Sequence, residues 1–158
     1  MKRTLITLMA SAAAAPAFAE YQTEISMDEV PAEIVDIAAT TVPGMNFDRV
    51  STELENGVTI YEFEGYNSAG KHVEVDVDEN GEIQEIEMQV SAEQVPPVVE
   101  RSLEQAAPGF EASYIEFSVR GGGSEFVYEF EGDHEGRTLE IEIAENGDVL
   151  FVSDGSLG

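Results

Sequence analysis

The chain of 158 residues has no cysteine, no tryptophan and two histidines, and it sets 7 Lys plus Arg against 33 Asp plus Glu. Each shortage excludes something. Without cysteine there is no disulfide, no thiolate nucleophile and no Cys-ligated metal or cluster. His72 and His134 lie far apart, with no zinc-type spacing and no Ser or Asp context. Both read as surface residues, and His-based catalysis is not supported. A formal charge of −26 repels phosphate backbones and anionic membrane surfaces, which argues against nucleic-acid or peripheral lipid binding. Paired carboxylates are so abundant that no single pair stands out as an acid and base, and Gly121-Gly122-Gly123 lies between strands rather than at a helix start, so it is no phosphate loop. The expectation is no catalytic residue, no cofactor and no enzyme activity.

The N-terminus carries an address. Met1-Lys2-Arg3 is positive, Thr4 to Ala15 is apolar, and Ala17-Phe18-Ala19 is a small-x-small site before Glu20. This order reads as a secretory signal peptide over residues 1–19, too short to span a bilayer and interrupted by Pro16. The expected destination is the periplasm or the exterior, with no membrane insertion after cleavage. An exported chain without disulfides must be held by its core alone, which its length permits.

The remainder reads twice. Ser26-Met27-Asp28-Glu29-Val30-Pro31 recurs as Ser91-Ala92-Glu93-Gln94-Val95-Pro96, and Pro43-Gly44 as Pro108-Gly109. Tyr61-Glu62-Phe63-Glu64-Gly65 recurs as Tyr128-Glu129-Phe130-Glu131-Gly132, and Glu79-Asn80-Gly81 as Glu145-Asn146-Gly147. The offset drifts only within turns, as expected of repeated elements joined by variable loops. The predicted division is one unit over 20–89 and a second over 90–158.

Each unit opens with capping-box chemistry, Ser26 with Glu29 and Ser91 with Gln94. Pro31 and Pro96 would delete a hydrogen bond inside a helix, so the helix is expected to restart at the proline after a turn. Apolar residues at helical spacing follow, Val30, Ile34, Ile37, Ala38 and Thr41 against Val95, Val99, Leu103, Ala106 and Ala107. Period-two alternation then predicts strands over 47–54, 58–65, 71–78 and 82–88, and over 112–119, 124–132, 137–144 and 148–152. Short Gly-containing links make neighbours antiparallel, with Asn80-Gly81 as a type I′ turn. The predicted fold class is α+β, a tandem repeat of one helix packed on a four-stranded antiparallel sheet.

With the helix on the apolar side of the strands, the other side becomes a field of carboxylates. Its candidate binding residues are Glu62, Glu64, Glu74 and Asp76, then Glu129, Glu131, Glu140 and Glu142. Like charges on neighbouring strands are unfavourable, so salt or cations should stabilise the protein. Such a surface either keeps an exported protein soluble or docks an unidentified protein with a basic surface. A third use is cation binding or buffering in the periplasm. Asp76, Asp78, Asn80 and Glu87 satisfy the twelve-residue calcium-loop pattern. The flanking strand alternation and the corresponding Glu142, Ala144, Asn146 and Ser153 favour a hairpin, and no metal is expected there.

In this order the residues resemble PepSY and PepSY-like domains. The resemblance rests on Val30-Pro31 with Ile34 and Val35, Pro43-Gly44, the Tyr61 to Glu64 and Val73 to Asp78 strands, and Asn80-Gly81-Glu82-Ile83. It is repeated in Val95-Pro96, Val98-Val99, Pro108-Gly109, Tyr128 to Glu131, Leu139 to Ile143 and Asn146 to Val149. It implies a fold similar to the β-lactamase inhibitor protein and an exported binding module, such as a peptidase inhibitor or a modulator of another envelope protein. It carries over no catalytic residue.

Overall fold

The computed structural model describes residues 22–154, so the expected signal peptide over 1–19 lies outside the described residues. Nine strands follow one another in the sheet in chain order: β1 (Thr23–Ile25), β2 (Asn46–Glu55), β3 (Val58–Tyr66), β4 (His72–Asp78), β5 (Ile83–Gln89), β6 (Glu111–Arg120), β7 (Glu125–His134), β8 (Arg137–Ala144) and β9 (Val149–Asp154). Helix α1 (Ala32–Thr41) precedes β2 and helix α2 (Pro97–Ala106) precedes β6.

This corrects the expected fold class. The molecule is mostly sheet, one continuous nine-stranded antiparallel sheet with two short helices, not a tandem of separate helix-on-four-strand units. The difference arises at the junction, where β5 pairs with β6 through Glu85↔Arg120, Ile86↔Val119, Glu87↔Ser118, Met88↔Phe117 and Gln89↔Glu116. Two separate sheets would leave both of these edges with unpaired backbone donors and acceptors; joining them removes both edges at once. Residues 23–25 add a further strand on β2, through Thr23↔Thr52, Glu24↔Ser51 and Ile25↔Val50.

The helices begin as the prolines require. A single 3-10 turn, Met27–Glu29 or Ala92–Gln94, comes first, and Pro31 and Pro96 then stand at the N-caps of α1 and α2. In each turn the third side chain reaches back, Glu29 accepting from the Ser26 N–H at 2.9 Å and Gln94 from the Ser91 N–H at 3.0 Å.

Both helices lie on the same side of the sheet, each over its own core. Val30, Ile34 and Ala38 pack on Val50, Phe63, Val75 and Val77; Val95 and Val99 pack on Tyr128, Phe130, Leu139, Ile141 and Ile143. Phe63 and Phe130 are fully enclosed, so truncating either to Ala should cost about 3–5 kcal/mol. The glycine that closes each Tyr-Glu-Phe-Glu-Gly segment has a steric reason. A Cβ on Gly65 would collide with the Asn46 carbonyl and one on Gly132 with that of Glu111, where β2 and β6 bulge beside Arg49 and Tyr114.

The turn at Asn80-Gly81 is not type I′. Gly81 has φ +85° while Asn80 keeps a negative φ, and the Gly81 N–H donates to the Asp78 carbonyl at 2.9 Å, which describes a type I turn followed by a glycine bulge. Asn56-Gly57, with φ +50° and +86°, is the type I′ turn.

Candidate functional site

Strand alternation sends every second residue to the face opposite the helices, and cross-strand register then lines the carboxylates into rows. One row runs Glu62↔Asp76↔Glu85 across β3, β4 and β5, and the next runs Glu64↔Glu74↔Glu87. In the second half, Glu116↔Glu129↔Glu142 crosses β6, β7 and β8, with Glu131↔Glu140 beside it. All eight sequence candidates, Glu62, Glu64, Glu74, Asp76, Glu129, Glu131, Glu140 and Glu142, thus stand on one face. The fused junction adds Glu85, Glu87 and Glu116 between the two groups.

The face is not the fully solvated one that alternation alone suggests. Glu62 is buried at 9 % exposure, and Glu74, Asp76, Glu85, Glu87, Glu116 and Glu129 are half-buried. Carboxylates in adjacent rows screen one another from water, and the energetic consequence is large. Burial, with Glu62 and Glu116 adding repulsion, pushes the Glu74 carboxyl up to about 8. Burial, then Glu62 and Glu85, pushes Asp76 up to about 9. Its Oδ1 is enclosed and has no hydrogen-bond partner, an arrangement that a neutral carboxyl tolerates better than an anion. Glu87 is likewise driven upward by burial and by Glu129 and Glu85, and Glu140 by burial and Glu142. Glu62 rises through burial and Glu64, against the hydrogen bond it accepts from Gln22.

Arg120, Arg49, His72 and Tyr114 bring positive charge or donors into this field. Arg120, at the end of β6, reaches three other strands: Nε to Glu85 on β5, Nη2 to Glu129 on β7 at 2.8 Å and Nη1 to Glu142 on β8 at 2.9 Å. Burial alone would loosen its proton, yet its bonds to Glu142 and Glu85 outweigh that and hold the charge. It also restrains Glu129, whose carboxyl is pushed up by burial and pulled back by the guanidinium. Arg49 on β2 binds Glu64 at 3.1 Å but is 53 % exposed. His72 sits among Glu64 at 3.5 Å, Glu74 at 3.3 Å and Glu116 at 3.7 Å, with the Tyr114 hydroxyl 3.1 Å from its Nδ1. Tyr114 donates to Glu116 at 2.7 Å, and burial with that bond raises its phenol further, the reverse of an activated nucleophile.

Sequence reasoning missed Arg120, Glu85, Glu116, Tyr114 and the interior position of His72, and it named Glu87 only within the calcium-loop pattern. Their signal was alternation in the two junction strands, Glu85 and Glu87 against Ile86 and Met88, and Tyr114, Glu116, Ser118 and Arg120 against Ile115, Phe117 and Val119. It acquires meaning only once β5 and β6 are neighbours.

Four triads of ligand-bearing side chains converge within 4.8 Å: Glu64, His72 and Glu74; Glu74, Glu87 and Glu116; Glu85, Glu87 and Glu129; Glu129, Glu140 and Glu142. The calcium-loop residues are placed differently. Asp78 is occupied by its own turn, accepting from the Asn80 N–H at 2.9 Å, the Glu82 N–H at 2.8 Å and Gln84 Nε2 at 3.1 Å, and the Glu82 bond leads in pulling its carboxyl down. Asp76 and Glu87 stand in different carboxylate rows, while Asn80 is exposed in the turn. The pattern of Asp76, Asp78, Asn80 and Glu87 therefore marks a hairpin whose turn is capped by Asp78.

Residues 31–87 match the PepSY family, described as the peptidase propeptide and YPEB domain. No curated protein sequence matches the chain. Among solved structures, a BLIP-like protein from Bacteroides fragilis superposes with a TM-score of 0.62 at 15% identity, over 81% of this chain and 88% of that one. A DUF2874 family protein from Bacteroides ovatus gives 0.61 at 13% identity, over 81% and 93%. Another from Bacteroides uniformis gives 0.51 at 12% identity, over 79% and 89%. These likenesses describe a shared fold. Among the described residues no helix is long and apolar enough to cross a membrane.

Proposed function

We propose that this chain, whose residues 31–87 match the PepSY family, is an exported, non-enzymatic binding module whose carboxylate face captures the basic surface of another envelope protein, as an inhibitor or modulator does. The observation that carries the reading is the charge deficit of the face. Burial, and then repulsion from neighbouring carboxylates, makes Glu74 and Asp76 keep protons past neutral pH. Lysine or arginine side chains from a partner would supply what is missing, favour the ionised carboxyls and displace the protons. The PepSY match and the likeness to a BLIP-like protein support an inhibitor-type module.

The test is capture from the envelope fraction with the wild-type protein and with a variant carrying Glu62→Gln, Glu64→Gln, Glu129→Gln and Glu131→Gln. Loss of one specific protein supports the proposal. Unchanged capture of every basic protein present would reject it.

The four converging triads favour a second reading, a periplasmic cation-binding or buffering protein using the same carboxylates. Matched ionic strengths of NaCl and CaCl2 separate the two. A melting temperature raised distinctly more by calcium supports cation binding, and equal, mild rises mean screening alone.

A further inference from the structure

The sheet has two open edges, and they are built differently. β1 is three residues long and carries the charge of Glu24, both of which discourage strand addition. β9 is six residues long, uncharged from Val149 to Ser153, and no strand lies beyond it among the described residues. Val149, Leu150 and Val152 are 44, 53 and 49% exposed. At the start of this edge, Leu150, Phe126, Val127 and Ala144 line a hollow of about 370 Å³ whose other walls include Glu125 and Glu145. One strand inward, Glu140 and Glu142 stand opposite Ser153 and Phe151.

We infer that β9 is the docking edge for an extended, basic segment of the partner, which adds as a tenth strand and seats an apolar side chain in the Leu150–Phe126 hollow. The backbone of β9 supplies hydrogen bonds, the hollow supplies an anchor, and Glu125 and Glu145 receive the lysine or arginine residues flanking that anchor. Charge selects this occupant over a second copy of the chain, which would bring another −26 and the same carboxylates to the seam. The inference rests on the reading of a basic partner and adds where and in what conformation that partner binds.

The probe is a capped peptide of alternating valine and lysine, compared by calorimetry with the same peptide N-methylated at every peptide nitrogen, which keeps the charge and removes the backbone donors. The protein is used as wild type and as Leu150→Asp, with melting curves confirming that both are folded. Leu150→Asp adds a negative charge, so attraction by charge alone predicts equal or tighter binding. Edge docking predicts that Leu150→Asp weakens binding roughly tenfold or more and that the methylated peptide does not bind. Equal binding of both peptides to both proteins overturns the edge inference and leaves the basic-partner reading standing. Absence of binding by either peptide removes both. A wild-type dimer in sedimentation that Leu150→Asp dissolves would give the edge to a second copy and overturn the inference.

Discussion

The two halves of the carboxylate face hold the same kind of rows under different charge balance. In the first half, Glu62, Asp76 and Glu85 stand in line, as do Glu64, Glu74 and Glu87, and the nearby guanidinium of Arg49 lies toward the sheet edge, half exposed. In the second half, Glu129 and Glu142 are gripped by Arg120, whose side chain is 26% exposed. Glu74 and Asp76, which form no ion pair with Arg120, are driven up to about 8 and 9, whereas the guanidinium pulls back on Glu129, which burial still raises to about 7. Packing carboxylates side by side is thus a question of where the compensating cation sits: the second half holds a half-buried guanidinium among its acids, while the first half has the more exposed Arg49 at its edge and His72.

The largest expected effect is a response of stability to pH. Glu74 and Asp76 hold protons more tightly in the folded state than at their ordinary values of 4.5 and 3.8. Their contribution is full below about pH 4 and is lost as pH rises through about 8 and 9, each group giving a slope of about 1.4 kcal/mol per pH unit within its window. Melting temperature should therefore rise by about 10 °C or more from pH 8 to pH 5. Amide exchange should slow more in β3 and β4 than in β7 and β8. A uniform response across the sheet would break the contrast between the halves.

Next in size is removal of the cations. Arg120→Ala leaves Glu85, Glu129 and Glu142 half-buried without their shared partner, and should cost about 2–4 kcal/mol. Arg49→Ala, at an exposed site, should cost less than about 1 kcal/mol. Chemical denaturation at pH 7.5 measures both.

A smaller and sharper contrast comes from the same chemical change in each half. At pH 8 Asp76 must take up a proton on folding; Asp76→Asn removes that cost and should stabilise by about 1 kcal/mol or more, while Glu142→Gln takes a partner from Arg120 and should destabilise by about 1 kcal/mol. Equal signs would show that the halves are not differently balanced. The smallest effect is local. Glu135 holds a φ of +54° in the β7–β8 hairpin, so Glu135→Gly should stabilise by about 0.5–1 kcal/mol without altering the pH response.

Much of this was visible in the order of residues. Alternation placed Glu62, Glu64, Glu129 and Glu131 on the side away from the helices, the prolines marked where α1 and α2 begin, and Gly65 and Gly132 ended their segments because a neighbouring backbone comes too close for a side chain. The joining of β5 to β6 was not visible. Alternation assigns a residue to a face but does not identify the neighbouring strand when the connection runs through a helix rather than a tight turn. With the junction unread, Arg120 is one basic residue among seven instead of the hub of Glu85, Glu129 and Glu142, and His72 reads as a surface residue. The burial of the acids escaped for the same reason. It comes from carboxylates screening one another across rows that only the complete sheet assembles.

The central claim is that the first half of the face carries protonated carboxyls at neutral pH, waiting for external positive charge. Side-chain carboxyl chemical shifts, followed by 13C NMR across the titration, test it directly. The account predicts that Glu74 and Asp76 titrate at about 8 and 9 in the free protein and shift downward when a cationic peptide binds. Titration of both at about pH 4, with or without the peptide, would contradict it.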